Sequence, residues 1–150
     1  ERYFVSSARG FFTSTDPYHG WVRAQNGFTR NYFHDFLILP PARRNDKATI
    51  IIATADQSPG FWDRPQNARA AVFRSFDYAQ SWQRVSEGFP KILEAMVWAL
   101  TPHPHDSNAL YAGLGNVSRG YALPLPHYMG SGGNGSILFS RDRGESWQGY

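Results

Sequence analysis

The stretch SRDRGESW at residues 140–147 indicates the fold, because two further copies of its pattern occur in the chain. Each copy has Asp two residues, and Trp seven residues, after a Ser. The copies begin at Ser14, Ser75 and Ser140, so they are 61 and 65 residues apart. Repeated spacing of this size is typical of repeat folds. The pattern residues are Ser14, Asp16, Trp21, Ser75, Asp77, Trp82, Ser140, Asp142, Gly144 and Trp147.

The sequence on both sides of the pattern also repeats. A β-rich run precedes each copy, and Gly-Phe follows six residues after two of the tryptophans, at Gly27-Phe28 and Gly88-Phe89. Further upstream, residues 50–54 match residues 109–113 at an offset of 59, and residues 3–6 resemble the same strand in the first copy. Apolar runs at 37–41 and 97–102 precede these matches. Each full unit is therefore predicted to contain four strands.

These residues resemble the Ser-x-Asp-x-Gly-x-x-Trp pattern of the BNR or Asp-box family, and residues 140–147 match it at every position. The resemblance covers nearly the whole chain. It implies an all-β fold, a β-propeller fragment of about two and a half four-stranded blades. The repeat units are predicted at residues 1–28, 29–89 and 90–150. Because propellers close with roughly four to eight blades, we expect the remaining blades to come from the same longer chain or from other subunits.

The pattern has a local structural meaning. An Asp carboxylate can accept backbone N–H groups inside a turn, Gly allows a left-handed backbone, and a Trp ring is large enough to fill a core. We therefore interpret the three aspartates as turn-stabilising rather than catalytic, and we expect all three tryptophans in the core. Ala79 and Tyr18 stand where the pattern has Gly, so the second and first turns are expected to be strained or differently shaped.

Two long loops are predicted at the strand ends opposite these turns, at residues 55–70 and 114–135. Long loops on a rigid scaffold commonly carry recognition. Aromatic rings beside Arg and Asp suit sugars or peptides, although the same rings could simply fix the loops to the blade. The candidate binding residues are Trp62, Asp63, Arg64, Arg69, Arg119, Tyr121, His127 and Tyr128.

The candidate catalytic residues are Asp35, Asp63 and Glu94. Asp35 and Glu94 align at the 59-residue offset, and we expect both at the start of an innermost strand. The resemblance implies unlike roles: sialidases, xyloglucan-degrading hydrolases, sortilin-type receptors and photosystem II assembly factors. The Arg-Ile-Pro signature of sialidases is missing from the sequence. We therefore predict a noncatalytic binding or scaffolding propeller segment for a protein or carbohydrate ligand. The alternative is part of a BNR-repeat glycoside hydrolase, so enzyme status stays open.

Composition excludes several other classes. The net charge of +3 comes from scattered arginines, with Arg43-Arg44 as the one adjacent pair, so no nucleic-acid footprint is predicted. No run approaches the roughly 20 apolar residues of a membrane span. The chain has no cysteine, which excludes disulfides but identifies no compartment. His103 and His105 have metal-like spacing but fall in a predicted turn, so neither a metal nor a cofactor is predicted.

Overall fold

A computed structural model describes residues 1–61, 68–85, 87–115 and 135–149. The prediction of an all-β fold is confirmed, with three antiparallel sheets. The described residues contain no α-helix, and the only helical turn among them is a 3₁₀ turn at Pro59–Phe61. The strands are β1 (Tyr3–Ser7), β2 (Gly10–Ser14), β3 (Val22–Ala24), β4 (Tyr32–Leu39), β5 (Thr49–Ala55), β6 (Ala71–Ser75), β7 (Gln83–Val85), β8 (Met96–Pro102), β9 (Leu110–Gly115), β10 (Gly135–Ser140) and β11 (Gln148–Gly149).

Each sheet is a simple meander in which every strand pairs with the next one in sequence. The first sheet has the order β1-β2-β3, the second β4-β5-β6-β7 and the third β8-β9-β10-β11. The pattern serines occupy equivalent places, because Ser14 pairs with Tyr3, Ser75 with Ile50, and Ser140 with Leu110. In the first sheet, β1 therefore takes the position that β5 and β9 hold in the other two.

This register corrects the predicted match between residues 50–54 and 109–113. Ile50 is equivalent to Leu110, an offset of 60 rather than 59. A slip of one residue moves every side chain to the other face of a sheet. The burial pattern agrees with the offset of 60, because Ile50 faces the first sheet and Leu110 faces the second.

The sheets stack face to face and form two cores. Strand β5 is buried along its whole length because the second sheet is covered on both faces. Ile50 and Ile52 belong to the core shared with the first sheet, whereas Ile51 and Ala53 belong to the core shared with the third. A near-continuous apolar run such as TIIIATA is typical of a strand buried on both sides. Strand β5 is thus the most deeply buried strand, at the centre of the described structure.

The strand register defines two ends of the stacked sheets. At the turn end lie the three Ser-x-Asp turns, which join the last two strands of each sheet. At the loop end, β5 stops at Ala55 and β9 stops at Gly115, where the two long predicted loops begin. Strands β4 and β8 are the first strands of the second and third sheets, and we call them the inner strands. They contact each other. Within the described ranges, no helix has the length and apolar character needed to cross a membrane.

Candidate functional site

The third turn shows how the pattern residues act together. The Ser140 hydroxyl donates a hydrogen bond to Asp142 Oδ1 (2.8 Å) and accepts one from the Gly144 backbone N–H (2.9 Å). Asp142 Oδ1 also accepts the N–H groups of Glu145 (3.0 Å) and Ser146 (2.9 Å). Burial alone raises the pKa of Asp142, but the hydrogen bonds outweigh it and the pKa is lowered. The charged carboxylate thus stabilises the turn.

The second turn has the same structure despite its missing glycine. Asp77 accepts from the Ser81 backbone N–H (2.9 Å), and Ser75 Oγ accepts the Ala79 N–H (2.9 Å). Burial again opposes the hydrogen bonds, and the pKa of Asp77 is lowered. Ala79 has a φ of +66°, close to the +80° of Gly144, so the alanine adopts a left-handed backbone that favours glycine. The second turn is therefore strained at Ala79, as one of the two expectations had it, but it has the same shape as the third turn.

The first turn is built differently. The Ser14 hydroxyl donates to the Gly20 carbonyl (2.5 Å), and Asp16 Oδ2 contacts His19 Nδ1 (2.6 Å). Tyr18 is not among the positive-φ residues, so this turn lacks the left-handed pair seen at Tyr78-Ala79. Tyr18 stands where the pattern has glycine, and a bulky side chain disfavours a left-handed backbone. This explains why the first turn differs in shape from the other two.

The expectation that all three tryptophans are buried is wrong for Trp21. Trp82 and Trp147 are each 4% exposed, whereas Trp21 is 40% exposed. The physical reason is that the two buried tryptophans pack against the preceding sheet. Trp82 lies in the core shared with the first sheet, and Trp147 in the core shared with the second. Among the described residues, no sheet packs against Trp21 in this way, and its ring is left partly exposed.

The repeated Gly-Phe holds the sheets together, a role that the sequence interpretation missed. The Trp82 N–H donates to the Asn26 carbonyl (2.9 Å), and the Phe28 ring stacks on Trp82 with centroids 4.7 Å apart. The next junction repeats this arrangement: the Trp147 N–H donates to the Glu87 carbonyl (3.2 Å), and Phe89 contacts Trp147 at 5.7 Å. The signal was the constant distance of six residues between Trp and Gly.

The predicted equivalence of the two described candidate acids, Asp35 and Glu94, does not hold. Asp35 and Glu94 do not occupy equivalent positions, because the pairing of β4 and β8 with their neighbours gives an offset of 64 at the paired residues Phe33 and Val97. Asp35 lies inside β4 and its Oδ2 accepts the Leu100 backbone N–H (2.7 Å). Glu94 is exposed and precedes β8.

The offset differs because the hairpin between the first two strands changes length. Ile38 pairs with Ile50, twelve positions later, whereas Pro102 pairs with Leu110, only eight positions later. An alignment that applies one offset to both strands of the hairpin therefore misplaces the inner strand. Asp35 acts as a link between two sheets, and its carboxylate is already hydrogen-bonded.

Most of the predicted binding residues lie outside the described residues: Trp62, Asp63, Arg64, Arg119, Tyr121, His127 and Tyr128. Arg69 is described and belongs to an ion-pair cluster at the loop end. Asp56 Oδ1 lies 3.5 Å from Arg30 Nε, and Asp56 Oδ2 lies 3.3 Å from Arg69 Nε. Arg30 Nε also donates to the Arg69 carbonyl at 2.7 Å. The structure thus joins Arg69 to two charged residues that the sequence interpretation did not nominate.

The two arginines of this cluster are in different environments. The Arg30 side chain is 13% exposed, and burial lowers its pKa while the charge of Asp56 opposes that shift. The Arg69 side chain is 49% exposed and its backbone has a φ of +45°. In the described part of the chain, no acceptor engages the terminal nitrogens of Arg69. Arg30 is thus a buried support, whereas Arg69 presents a cation to solvent.

Aromatic rings lie beside one another along the inner strands near the same end. Tyr32 and His34 of β4 stack with centroids 6.1 Å apart, and His34 meets Trp98 of β8 edge-on at 5.0 Å. The Trp98 indole N–H donates to the Gly115 carbonyl (3.1 Å), which fixes the ring. Burial raises the pKa of Tyr32. All three side chains are partly exposed, so rigid rings with polar edges border the loop end.

Within the four described ranges, no three His, Asp or Glu side chains converge in a way that could hold a metal ion. His103 and His105 lie in the connection between β8 and β9, where the His105 N–H donates to His103 Nδ1 at 3.2 Å. This local hydrogen bond belongs to the turn geometry at the turn end of the third sheet.

The sequence matches no known family model and no curated protein. The fold and the site geometry define an all-β protein of three stacked meander sheets.

Proposed function

We propose that this chain is a segment of a β-propeller that binds a protein or glycan at the loop end without catalysing a reaction. Three features support the propeller arrangement. Each sheet is a meander, Trp82 and Trp147 each pack on the preceding sheet, and the inner strands β4 and β8 contact each other. Successive radial sheets of this kind are the building units of propellers.

The observation that carries the binding function is the combination of a solvent-facing cation and rigid aromatic rings at one end of the molecule. The Arg69 side chain is 49% exposed, and among the described residues Asp56 contacts it at Nε. Aromatic faces with nearby arginine are suited to sugar rings, peptide carboxylates and aromatic side chains. The predicted loop residues Trp62, Arg64, Tyr121 and Tyr128 are the same chemical types and belong to the sequence that continues from this end.

Four carboxylates of the described residues have structural roles, which supports binding over hydrolysis at those four positions. Glycoside hydrolases use a pair of carboxyl groups, one of which moves a proton during the reaction. Asp35 is committed to a backbone hydrogen bond, Asp77 and Asp142 stabilise turns at the opposite end, and both oxygens of Asp56 are paired with arginines. Each of these groups has a structural partner that a catalytic proton transfer would disrupt.

A glycan array and a displayed peptide library, each probed with the full chain, test this function. We expect at least one ligand class whose binding falls about tenfold in Arg69→Ala, Trp62→Ala and Tyr121→Ala. The matched control is Arg141→Ala, which removes an exposed cation at the turn end and should leave binding unchanged. Equal loss in the control, or retained binding in all three loop-end variants, would contradict the proposal. Turnover of sialosides or β-glucans by the full chain would favour a glycoside hydrolase instead.

A further inference from the structure

On one face of the first sheet lie residues whose equivalents in the other two sheets are buried. We call it the outer face, and it consists of Tyr3, Val5, Phe12 and Trp21. Val5 is 44% exposed, whereas its equivalents Ile52 and Ala112 are 0% exposed. Trp21 is likewise ten times more exposed than Trp82 or Trp147. Apolar side chains are thus arranged for burial on a face that the described residues leave open.

The structure shows twice what covers this face in the other sheets. The segment after the last strand of the preceding sheet lies across the turn tryptophan and accepts its backbone N–H, through Asn26 or Glu87. The glycine that follows has no room for a side chain. A Cβ on Gly27 would lie 2.0 Å from the Trp82 carbonyl oxygen, and one on Gly88 would lie 1.7 Å from that of Trp147. The segment can therefore pack against the turn tryptophan only if glycine occupies this position.

The grooves beside the tryptophans show the same correspondence. A groove of about 340 Å³ beside Trp147 is completed by Glu87 and Gly88 of the preceding sheet. A groove of about 420 Å³ lies beside Trp21 and is lined by the first sheet alone. Six positions of the third sheet line the first groove, and the six equivalent positions line the second: Phe139 and Thr13, Arg141 and Thr15, Asp142 and Asp16, Ser146 and Gly20, Trp147 and Trp21, Gln148 and Val22.

We propose that the outer face is a docking surface for one further repeat of the same kind, which presents a Gly-aromatic dipeptide after its last strand. The residue before that glycine accepts the Trp21 N–H, for which no described residue is an acceptor. The glycine lies against the Trp21 backbone, and the aromatic ring covers the indole. This inference uses the sheet-to-sheet contacts inside the chain and does not depend on a ligand at the loop end.

A fusion protein tests the proposal in register. Tyr3 and Leu110 pair with equivalent serines, so a copy of residues 29–107 joined directly to Glu1 supplies a preceding sheet with its Gly-Phe and a strand equivalent to β8 beside β1. We expect hydrogen exchange of the Trp21 backbone amide, measured by NMR, to slow at least tenfold and approach that of Trp147. The matched control carries Gly88→Ala in the copied sheet only, and its Trp21 amide should exchange as in the unfused chain.

A second variant covers the case in which the copied sheet does not fold. The peptide AQNGFTR, the sequence of residues 24–30, is tethered to Glu1 through a flexible linker and compared with AQNAFTR. The N-terminus lies near Trp21 because Tyr3 pairs with Ser14, whose hydroxyl contacts Gly20. A short tether gives a millimolar effective concentration, so roughly threefold slowing of Trp21 exchange is expected with glycine alone. Equal exchange with both peptides, while Trp82 and Trp147 stay protected, overturns the proposal.

Discussion

The second and third sheets bury their turn tryptophans, whereas the first sheet exposes the one it carries. All three tryptophans follow a Ser-x-Asp turn at the same spacing, so the turn alone does not determine burial. What differs is the Gly-Phe segment of a preceding sheet, which lies across Trp82 and Trp147, whereas no segment of the described residues lies across Trp21 in this way. The Ser-x-Asp turn thus orients the indole ring, but the ring stabilises the fold only where a neighbouring sheet buries it.

The largest expected effect comes from removing the rings themselves. Trp82→Ala and Trp147→Ala should each lower the free energy of unfolding by about 4 kcal/mol, because a buried ring leaves a cavity. Trp21→Ala should lower it by less than about 1 kcal/mol, because this ring has few packing partners. Urea unfolding of the three variants measures the difference. Equal losses at all three positions would show that the turn itself, rather than the junction, uses the ring.

Next in size is the effect of adding a methyl group at the junction. Gly88→Ala should destabilise the chain by about 3 kcal/mol, because its Cβ would overlap the Trp147 carbonyl and its φ is +81°. Gly113→Ala is the matched control, since its Cβ would make only an ordinary 3.8 Å contact with Ala99. Thermal unfolding of both variants compares them. A Gly88→Ala variant as stable as the control would contradict the close approach.

The turn aspartates should give a smaller, pH-dependent effect. Asp77→Asn should cost about 2 kcal/mol at pH 7, because hydrogen bonds to a charged acceptor are lost, whereas Asp16→Asn should cost less than about 0.5 kcal/mol. Since the folded pKa of Asp77 is lowered, its contribution is complete above the ordinary Asp range and is lost as pH falls through the folded value. Denaturant titrations of the wild type and Asp77→Asn should converge as the pH falls. A difference in unfolding free energy that stays constant down to pH 2 would argue against stabilisation of the turn by the charged Asp77 carboxylate.

The smallest predicted effect is a gain in stability. Ala79→Gly should stabilise the chain by about 1 kcal/mol, because glycine adopts the left-handed backbone without steric cost. Tyr18→Gly should bring no such gain, because Tyr18 is outside the left-handed region. Differential scanning calorimetry resolves a change of this size. Destabilisation by Ala79→Gly would mean that the alanine methyl, which is buried in the core with Trp82, contributes more than the strain costs.

The accuracy of the sequence interpretation differs between the strands and the site. The alternation of apolar runs and turns predicted the strands of each full sheet, because strand formation depends on local side-chain pattern. The register was one residue out between β5 and β9, and the offset was wrong for β4 and β8 because hairpin length changes between repeats. Asp56 and Arg30 were missed because they meet Arg69 only in three dimensions.

By itself, the sequence determined that this protein is built from strands, where its Ser-x-Asp turns lie, and which residues repeat at the junctions. These features depend on contacts within a few residues, or on a period that can be counted. The tertiary structure alone decided which tryptophans are buried, that Asp35 links two sheets, and that Gly-Phe clamps the following turn. Those outcomes depend on which sheet lies next to which, and burial is a property of the neighbour as much as of the residue.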